Sequence, residues 1–439
     1  MARAAGEHAA QGRSAEAIEA YAQALALTPD DADLLTRLAL LQRNEGDLDE
    51  AIANFERALA HAPDLPVARL NLALALDEAG DSARALALID QAPDLLRASA
   101  DARWMASVPV LRAGDLARGF AWYEARFDTG DRNAFRRHGG VPRWTGSAAP
   151  GKRLLLWHEQ GLGDLLQFIR FVPLAAARGL EVRVEAPAPL RALLAGAPGV
   201  TLTGTHQSAG VTLTGAHQSA FDFQLPAMSL PHVLGIALDQ VGADLPYLAA
   251  PAARRGKWRT LLPDSKAFRI GLAWRSTIFR DDLAVAQSKL SKSLPLALLQ
   301  PFAQLPGVEL VSLQVGQGAE EMRQAGRGMR ITDLNEHIDD FADTAALIER
   351  LDLVVSIDTS VAHLAGALGR PVFVLLNHSP CWRWLAGRDD SPWYGSARLF
   401  RQARRNDWRD PVAAACAAAS VLAGAAGPAR GVFGLLRRK

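Results

Sequence analysis

Cysteine is scarce in this chain. Of 439 residues, only Cys381 and Cys416 are cysteines, too few for a disulfide framework. The net charge is close to zero, because 48 lysines and arginines face 47 aspartates and glutamates, which gives no general attraction for nucleic acid or an anionic membrane. Any anion site must therefore be local, and the low cysteine content favours a reducing compartment such as the cytoplasm.

Long apolar runs are also missing. The N-terminal sequence is helical in pattern and charged throughout, with no apolar segment before a small-residue cleavage site, so we expect no signal peptide. The alanine-rich stretch from Val412 to Gly427 is weakly hydrophobic and too short to predict a membrane span. We interpret it as a terminal helix packed on the protein, and we expect a soluble chain with no transmembrane segment and no nucleic-acid partner.

A period of 34 residues organises the N-terminal part of the chain. Three kinds of residue keep this spacing: a turn glycine, a large packing residue and a helix-terminating proline. It is the tetratricopeptide period, in which stacked helix pairs form a superhelix whose concave face commonly holds a peptide or protein. We therefore predict a tetratricopeptide array over residues 1–127. The recurring residues are Gly12, Gly46, Gly80 and Gly114, then Tyr21, Phe55, Ile89 and Tyr123, and finally Pro29 and Pro63.

Beyond the repeats the sequence pattern changes. Residues 128–152 lose helical periodicity and gain Gly, Pro and Arg, which predicts a linker. Apolar runs of strand length then alternate with helical patterns in two series, which predicts two parallel, doubly wound sheets at 153–262 and 263–424, followed by a tail at 425–439. The predicted strands are 153–157, 182–185, 221–224, 269–274, 308–314, 353–357 and 372–376, and the first long helix is predicted at 165–178.

Residues 199–209 are repeated almost unchanged at 210–220. The two copies differ only at Thr205 and Ala216. We interpret the repeat as a tandem duplication that lengthens a loop or an edge strand. The paired His206 and His217 then follow from the duplication, so they do not by themselves indicate a metal site.

The first candidate site is the turn HEQGLGD, which runs from His158 to Asp164. Gly161 and Gly163 allow a sharp turn with exposed amides, and Asp164 is expected at the mouth of a helix that starts near Leu165. An aspartate there is either a plain helix N-cap or a base that accepts a proton from an acceptor hydroxyl. The spacing alone leaves both interpretations open.

The second candidate site is the segment SIDTSVAHLAGALG, where a strand ends in Asp358 and a helix begins at about Val361. The amides of Thr359, Ser360 and Val361 would point out of the helix N-terminus, which suits a diphosphate. His363 is either part of that site or a buried helix histidine with a satisfied hydrogen bond. Asp358 is equally ambiguous, because a carboxylate beside a diphosphate costs energy unless it bonds to hydroxyls or amides.

Five segments carry a family resemblance. They are LLLWHEQGLGDLLQFIRF (154–171), GLAW (271–274), LVSLQ (310–314), the segment 340–376 and the segment 382–402. Together with the repeats, they resemble bacterial tetratricopeptide glycosyltransferases, which are similar to the lipopolysaccharide heptosyltransferases of glycosyltransferase family nine. The resemblance implies a GT-B pair of Rossmann-like lobes, with the acceptor on the first lobe and a nucleotide-sugar donor on the second. It also implies inverting transfer without a bound metal or other cofactor.

The resemblance implies roles for individual residues. Asp164 matches the proposed base of the heptosyltransferases, Gln314 matches a position that faces the donor nucleoside or sugar, and the remaining matches hold the donor or form the acceptor-side loop. The residues also argue against a metal-clamped diphosphate, because Asp-x-Asp triplets occur only inside the repeats, at 31–33 and 47–49. The donor-holding matches are Asp358, Thr359 and His363. Ser360 is grouped with them because its amide lies at the same predicted helix N-terminus, and the acceptor-side loop contains His158, Gln160, Gly161 and Gly163.

One loop departs from the family pattern. After GLAW the relatives usually continue with Gly-Asn-Pro, whereas this chain has RSTIFRDDLAVAQSKLSK (275–292) before it rejoins the pattern at Ser293. The cation that meets the leaving diphosphate is therefore left open among Arg275, Lys289 and Lys292. We expect transfer to a hydroxyl of a protein or peptide recruited by the repeats. The alternatives are a heptosyltransferase-like enzyme of cell-surface polysaccharide assembly and a binding protein with vestigial transferase lobes.

Overall fold

The computed structural model describes residues 2–129, 137–203, 220–242, 245–276, 292–316, 318, 320–322 and 329–425. The chain forms two compact units. The first consists of Met1–Ala134 with Cys381–Ala386, and the second of Phe135–Pro380 with Gly387–Lys439. In the described ranges no helix is both long enough and apolar enough to cross a membrane.

Paired antiparallel helices build the first unit, and they confirm the predicted repeat register. Each of the four periodic glycines has a positive φ between 71° and 93°, the left-handed conformation that glycine adopts at little cost. The four periodic packing residues are all buried. The helices are α1 (Ala2–Ala10), α2 (Ser14–Leu27), α3 (Ala32–Glu45), α4 (Leu48–His61), α5 (Pro66–Glu78), α6 (Ser82–Asp90), α7 (Pro93–Ala98), α8 (Ala100–Arg112) and α9 (Leu116–Tyr123), with a 3-10 turn at Glu124–Phe127.

The third repeat departs from the period in one helix. Helix α6 begins 34 residues after α4 but ends early, because Pro93 cannot continue a helix and instead starts the short α7. The surface contacts keep the period all the same: the ion pair of Arg84 with Glu56 recurs 34 residues later as Arg118 with Asp90, both at 2.6 Å.

A short segment from far along the chain completes the first unit. Residues 381–386 include a 3-10 turn, Trp382–Trp384, that contacts α8. The ring of Trp382 meets Phe120 edge-on at 5.5 Å, and the Ala386 amide donates to the Arg112 carbonyl at 2.9 Å. Trp384 is fully buried. The core of the last repeat therefore includes side chains that the sequence assigned to the second lobe.

The second unit contains two parallel sheets. In the first lobe the strand order is β3-β2-β1-β4, and all pairings are parallel, as predicted. The strands are β1 (Arg153–Trp157), β2 (Glu181–Glu185), β3 (Thr201–Leu202) and β4 (Phe223–Pro226), and the helices are α10 (Leu162–Phe168), α11 (Val172–Ala176), α12 (Ala188–Leu194) and α13 (Leu230–Leu234).

The sheet of the second lobe has six parallel strands in the order β10-β9-β8-β5-β6-β7. Counted within the lobe this is 3-2-1-4-5-6, the order of a Rossmann fold, whose ligands bind where the order reverses, between β5 and β8. The strands are β5 (Phe268–Ala273), β6 (Val308–Ser312), β7 (Ile331–Thr332), β8 (Leu353–Ile357), β9 (Val372–Leu376) and β10 (Ala397–Arg401). The described helices are α14 (Ala252–Leu261), α15 (Gln300–Ala303), α16 (Phe341–Ile348), α17 (Ser360–Ala367) and α18 (Arg409–Ala425).

Two local predictions were wrong. The strand predicted at 221–224 is β4, two residues further on. The single helix predicted at 165–178 is α10, a 3-10 turn at Ile169–Phe171 and α11, because Pro173 lacks the amide proton that would continue the first helix. The alanine-rich segment does form a terminal helix, α18, whose Val412, Ala415 and Ala419 pack into the core of the second sheet.

Neighbouring segments pack onto the two lobes. Within the predicted linker, the Trp144 amide donates to the Gln224 carbonyl at 3.1 Å, so this stretch lies beside β4 of the first sheet. Helix α14, near the predicted end of the first lobe, packs on α16 of the second, where Trp258 is fully buried and donates to Asp343 at 2.9 Å.

Candidate active site

The turn after β1 places Asp164 inside a helix. Helix α10 begins at Leu162, three residues before its predicted start, so the N-cap is Gly161 and the expectation that Asp164 is the N-cap was wrong. Gly161 is in an extended conformation immediately before the helix begins. The Asp164 carboxylate accepts a hydrogen bond from the Gly161 amide at 2.7 Å, and this bond orients it.

Gly163 brings the two lobes together next to Asp164. A Cβ atom at residue 163 would lie 2.9 Å from Cδ2 of His363 and 3.4 Å from Cα of Ser360. Only a glycine lets the start of α10 approach the start of α17 this closely. The structure therefore places the glycine turn of the first lobe directly against the predicted donor turn of the second.

The turn after β8 is capped by its own side chains. Thr359 is the N-cap of α17, which begins at Ser360, one residue before its predicted start. The Thr359 hydroxyl accepts from the Val361 amide at 3.3 Å and lies 3.1 Å from the hydroxyl of Ser356. One of the three amides expected to face a diphosphate is therefore partly satisfied within the turn, since Val361 already has an acceptor.

Asp358 lies between a lysine and a histidine. Its Oδ2 is 2.7 Å from Nζ of Lys292, and its Oδ1 is 3.9 Å from Nε2 of His363. The carboxylate is nearly buried, with 8% of the side chain exposed, whereas 24% of Lys292 remains exposed. Lys292 thus compensates the charge of Asp358 while part of its side chain stays at the surface of the site.

Gln314 and Arg275 are held at the ends of β5 and β6. The side-chain oxygen of the buried Gln314 accepts the amides of Trp274 and Arg275, at 3.1 and 2.8 Å. The Arg275 guanidinium forms an ion pair with Glu321, which also accepts from the indole of Trp274 at 3.1 Å. Of the two described cations proposed for the leaving group, Lys292 lies at the donor turn and Arg275 is compensated by a neighbouring carboxylate.

A second cluster of charges lies at the carboxyl ends of β1 and β2, around His158. Burial, followed by the charge of Arg137, lowers the pKa of His158. Burial would raise the pKa of Glu185, but His138 and then Arg137 outweigh it and lower that pKa. Arg137 donates to the His158 carbonyl at 3.1 Å and pairs with Glu185. The sequence analysis missed this cluster, although Glu185 ends a predicted strand.

Aromatic side chains around Arg170 form a further group that the sequence analysis missed. Arg170 follows α10, and its guanidinium donates to the Trp393 carbonyl at 2.8 Å and to the Tyr247 hydroxyl at 3.0 Å. The Tyr394 hydroxyl lies 2.9 Å from Nδ1 of His363, so this group continues into the donor turn. No spacing rule could have found it, because its members are far apart in sequence.

Several predicted features lie outside the described residues. These are Lys289 with most of the altered loop, and the duplicated histidines His206 and His217. The exposed Gln160 lies in the glycine turn between β1 and α10.

The fold and the family matches define the class of this protein. Two Rossmann-like lobes that meet through the starts of α10 and α17 make a GT-B type of architecture. Residues 7–46 and 42–106 match tetratricopeptide repeats, and residues 307–406 match glycosyltransferase family 9 (heptosyltransferase). The chain therefore contains segments that match tetratricopeptide repeats and a segment of its second lobe that matches glycosyltransferase family 9.

One curated protein and two solved structures are similar to parts of this chain. The chain is 30% identical over 309 residues to protein FlbA of Caulobacter vibrioides, a match that covers 66% of this chain and 50% of FlbA. It thus spans about half the length of that relative. A family 9 glycosyl transferase from Veillonella parvula is similar in structure over 64% of this chain and 99% of its own, at 11% identity and a TM-score of 0.47. For ADP-heptose lps heptosyltransferase II of E. coli the values are 62%, 98%, 14% and 0.44.

Proposed function

We propose that the protein transfers a sugar from a nucleotide-sugar donor to a hydroxyl group, with inversion and without a bound metal. The observation that carries this proposal is the contact at Gly163. It brings the start of α10, with Asp164, against the start of α17, with Asp358 and His363. A carboxylate from one lobe and an anion-binding helix start from the other are the parts that such a transfer requires.

The donor diphosphate is proposed to bind at the start of α17. The helix N-terminus carries partial positive charge and amides that favour anions, and Lys292 adds a full charge beside it. Asp358 would repel a diphosphate on its own, but its ion pair with Lys292 reduces that repulsion. As the bond to the sugar breaks, the electron pair leaves on the diphosphate, and these groups stabilise the developing charge.

Asp164 is proposed as the base. The acceptor hydroxyl gives its proton to the Asp164 carboxylate while its oxygen bonds to the anomeric carbon, on the side opposite to the departing diphosphate. The hydrogen bond from Gly161 holds the carboxylate in a fixed direction, so that it does not have to be oriented during the reaction.

The acceptor is proposed to be a protein or peptide that the repeats recruit. Support comes from the repeats themselves, because such arrays commonly bind peptides or proteins along the concave face. The heptosyltransferase description of the matched domain favours a second candidate, transfer to a cell-surface polysaccharide. The missing Gly-Asn-Pro favours a third, a binding protein with inactive lobes. Co-expression with candidate partners and intact-mass analysis would separate these, since only the first adds a glycan mass to a protein.

The central test is Asp164→Asn, preceded by a screen of UDP, GDP, ADP and dTDP sugars for nucleotide release. An asparagine oxygen can still accept from the Gly161 amide, so the fold should survive. Loss of a positioned base should lower turnover by roughly a hundred-fold to ten-thousand-fold while donor affinity stays near normal.

The matched control for this test is Asp31→Asn, which changes another helix-start carboxylate. Asp31 caps α3 in the repeats by accepting the amides of Asp33 and Leu34. This variant should keep full turnover. If a folded Asp164→Asn protein turned over as fast as the Asp31→Asn protein, Asp164 would be a structural residue only, and no base would be assigned.

A further inference from the structure

A buried hydrogen-bonded chain ends at His363. Tyr394 is fully buried, and its hydroxyl lies 2.9 Å from Nδ1 of His363. The guanidinium of Arg170 lies over the Tyr394 ring, 4.8 Å from the ring centre, and donates to the Tyr247 hydroxyl at 3.0 Å.

The direction of these hydrogen bonds is set at the arginine end. A guanidinium has donors only, so the Tyr247 oxygen must accept from Arg170. Tyr247 accepts from Arg170 at 3.0 Å and donates its own proton to the Leu166 carbonyl at 2.9 Å. Tyr394 therefore receives no proton from Tyr247 and must direct its own to Tyr247 or to His363.

The carboxylate at the other end decides between these two. Nε2 of His363 faces Oδ1 of Asp358 at 3.9 Å, and Lys292 at 2.7 Å stabilises the ionised form of that carboxylate. A proton on Nε2 is attracted to the carboxylate, whereas a lone pair there is repelled. A neutral His363 then has its lone pair on Nδ1, and this lone pair requires a donor, which is the hydroxyl of Tyr394.

Two further observations support Tyr394 as a permanent donor. Burial, followed by the neighbouring Tyr247, raises the pKa of Tyr394 well above its ordinary value although Arg170 opposes the change, so the hydroxyl keeps its proton at neutral pH. Gly366 makes room for the ring, since a Cβ there would lie 2.4 Å from two of its carbons. Gly366 is one helical turn after His363, so the ring packs against the helix face that carries the histidine.

We propose that Tyr394 is a positioning residue: it donates to Nδ1 of His363 and thereby fixes the ring proton on Nε2, directed toward Asp358 and the donor turn. The role of this proton in sugar transfer rests on the proposed function, where Nε2–H is a ready donor to an oxygen of the diphosphate. The tautomer itself is independent of that function and is a property of the resting protein.

The test is histidine nitrogen spectroscopy on the full chain without donor or acceptor. In ¹⁵N-histidine protein at pH 7.5 to 8, long-range nitrogen–proton spectra distinguish the two neutral tautomers, and the His363 signal is identified by its loss in His363→Gln. We expect Nε2–H in the wild-type protein, a mixture of tautomers in Tyr394→Phe, and no change in Tyr123→Phe, a buried tyrosine of the repeats. A wild-type Nδ1–H tautomer, or an unchanged signal in Tyr394→Phe, overturns the proposal.

Kinetics add a second readout once a donor is known. Tyr394→Phe should lower kcat about 2- to 12-fold, the range that one neutral hydrogen bond is worth, with little change in the acceptor KM. Gly366→Ala, which displaces the ring but keeps the hydroxyl, should give the same mixture of tautomers. If no sugar is transferred but the tautomer is as expected, the proposed function fails and the positioning role stands.

Discussion

Replacing Gly163 by alanine puts a methyl group where helices α10 and α17 meet. Alanine favours a helix over glycine by about 1 kcal/mol, which by itself would stabilise α10. The new Cβ would, however, lie 2.9 Å from His363 and 3.4 Å from the backbone of Ser360. His363 is held by Tyr394 on its far side, so neither neighbour can move away freely. Overpacking of this kind typically costs about 1–3 kcal/mol, so we expect a net effect between neutral and about 2 kcal/mol destabilising.

The matched control is Gly256→Ala. Gly256 is an exposed helical glycine in α14, and a Cβ there would meet nothing within 4 Å, so this variant should gain the helix propensity alone. The difference between the two variants then isolates the contact between the lobes. By differential scanning calorimetry, Gly163→Ala should melt about 2–12 °C below Gly256→Ala, and its turnover should fall as the two turns separate. Equal gains in melting temperature for both variants would refute the close approach of α10 and α17.

Two further predictions concern the charged groups of the site. Lys292→Gln should weaken the binding of a nucleoside diphosphate to the full chain by about 10- to 150-fold, as measured by metal-free calorimetry. The variant loses a hydrogen bond to a charged group, and the charge of Asp358 is no longer compensated. An unchanged affinity would mean that the lysine serves Asp358 alone. Burial and the charge of Arg137 lower the pKa of His158 in the folded protein. Protonation of His158 therefore disfavours the folded state, so the free energy of unfolding is highest above the ordinary histidine pKa near 6.5 and falls as the pH is lowered. The melting temperature should therefore drop between pH 7 and 5, less steeply in His158→Asn, and equal slopes in the two proteins would contradict this.

Strand positions followed from the sequence where strands are buried on both faces. The strands β1, β8 and β9 begin and end at the predicted residues, because continuous apolar runs bounded by polar residues leave one assignment. The edge strands β3, β7 and β10 were not predicted; β3 and β7 are only two residues long and give no such run, and the apolar residues of β10 are interrupted by Arg398. The 34-residue period predicted the repeat helices for a similar reason, because the turn glycines, the large packing residues and the helix-terminating prolines all agree on one register.

The site was less predictable than the sheets. Residue type alone made Asp164 look like an N-cap, whereas the extended Gly161 takes that position and leaves Asp164 two residues inside α10. Tyr394 and Arg170 could not be found at all, because the sequence does not show that residues 223 positions apart meet, as Arg170 and Trp393 do. Such contacts depend on how the two sheets pack, and no local pattern records that packing.

The short segment at 381–386 limits how the repeats of this protein could be exchanged by recombination. An end-to-end fusion of two proteins can be undone by a single cut, but this chain passes between its units after residues 134, 380 and 386. A chain cut after residue 127 would keep every strand of both sheets, yet Trp382 would lose Phe120 and Ala386 would lose the Arg112 carbonyl. Recombination could therefore not exchange the repeats for another array without also remodelling a turn more than 250 residues further along the chain.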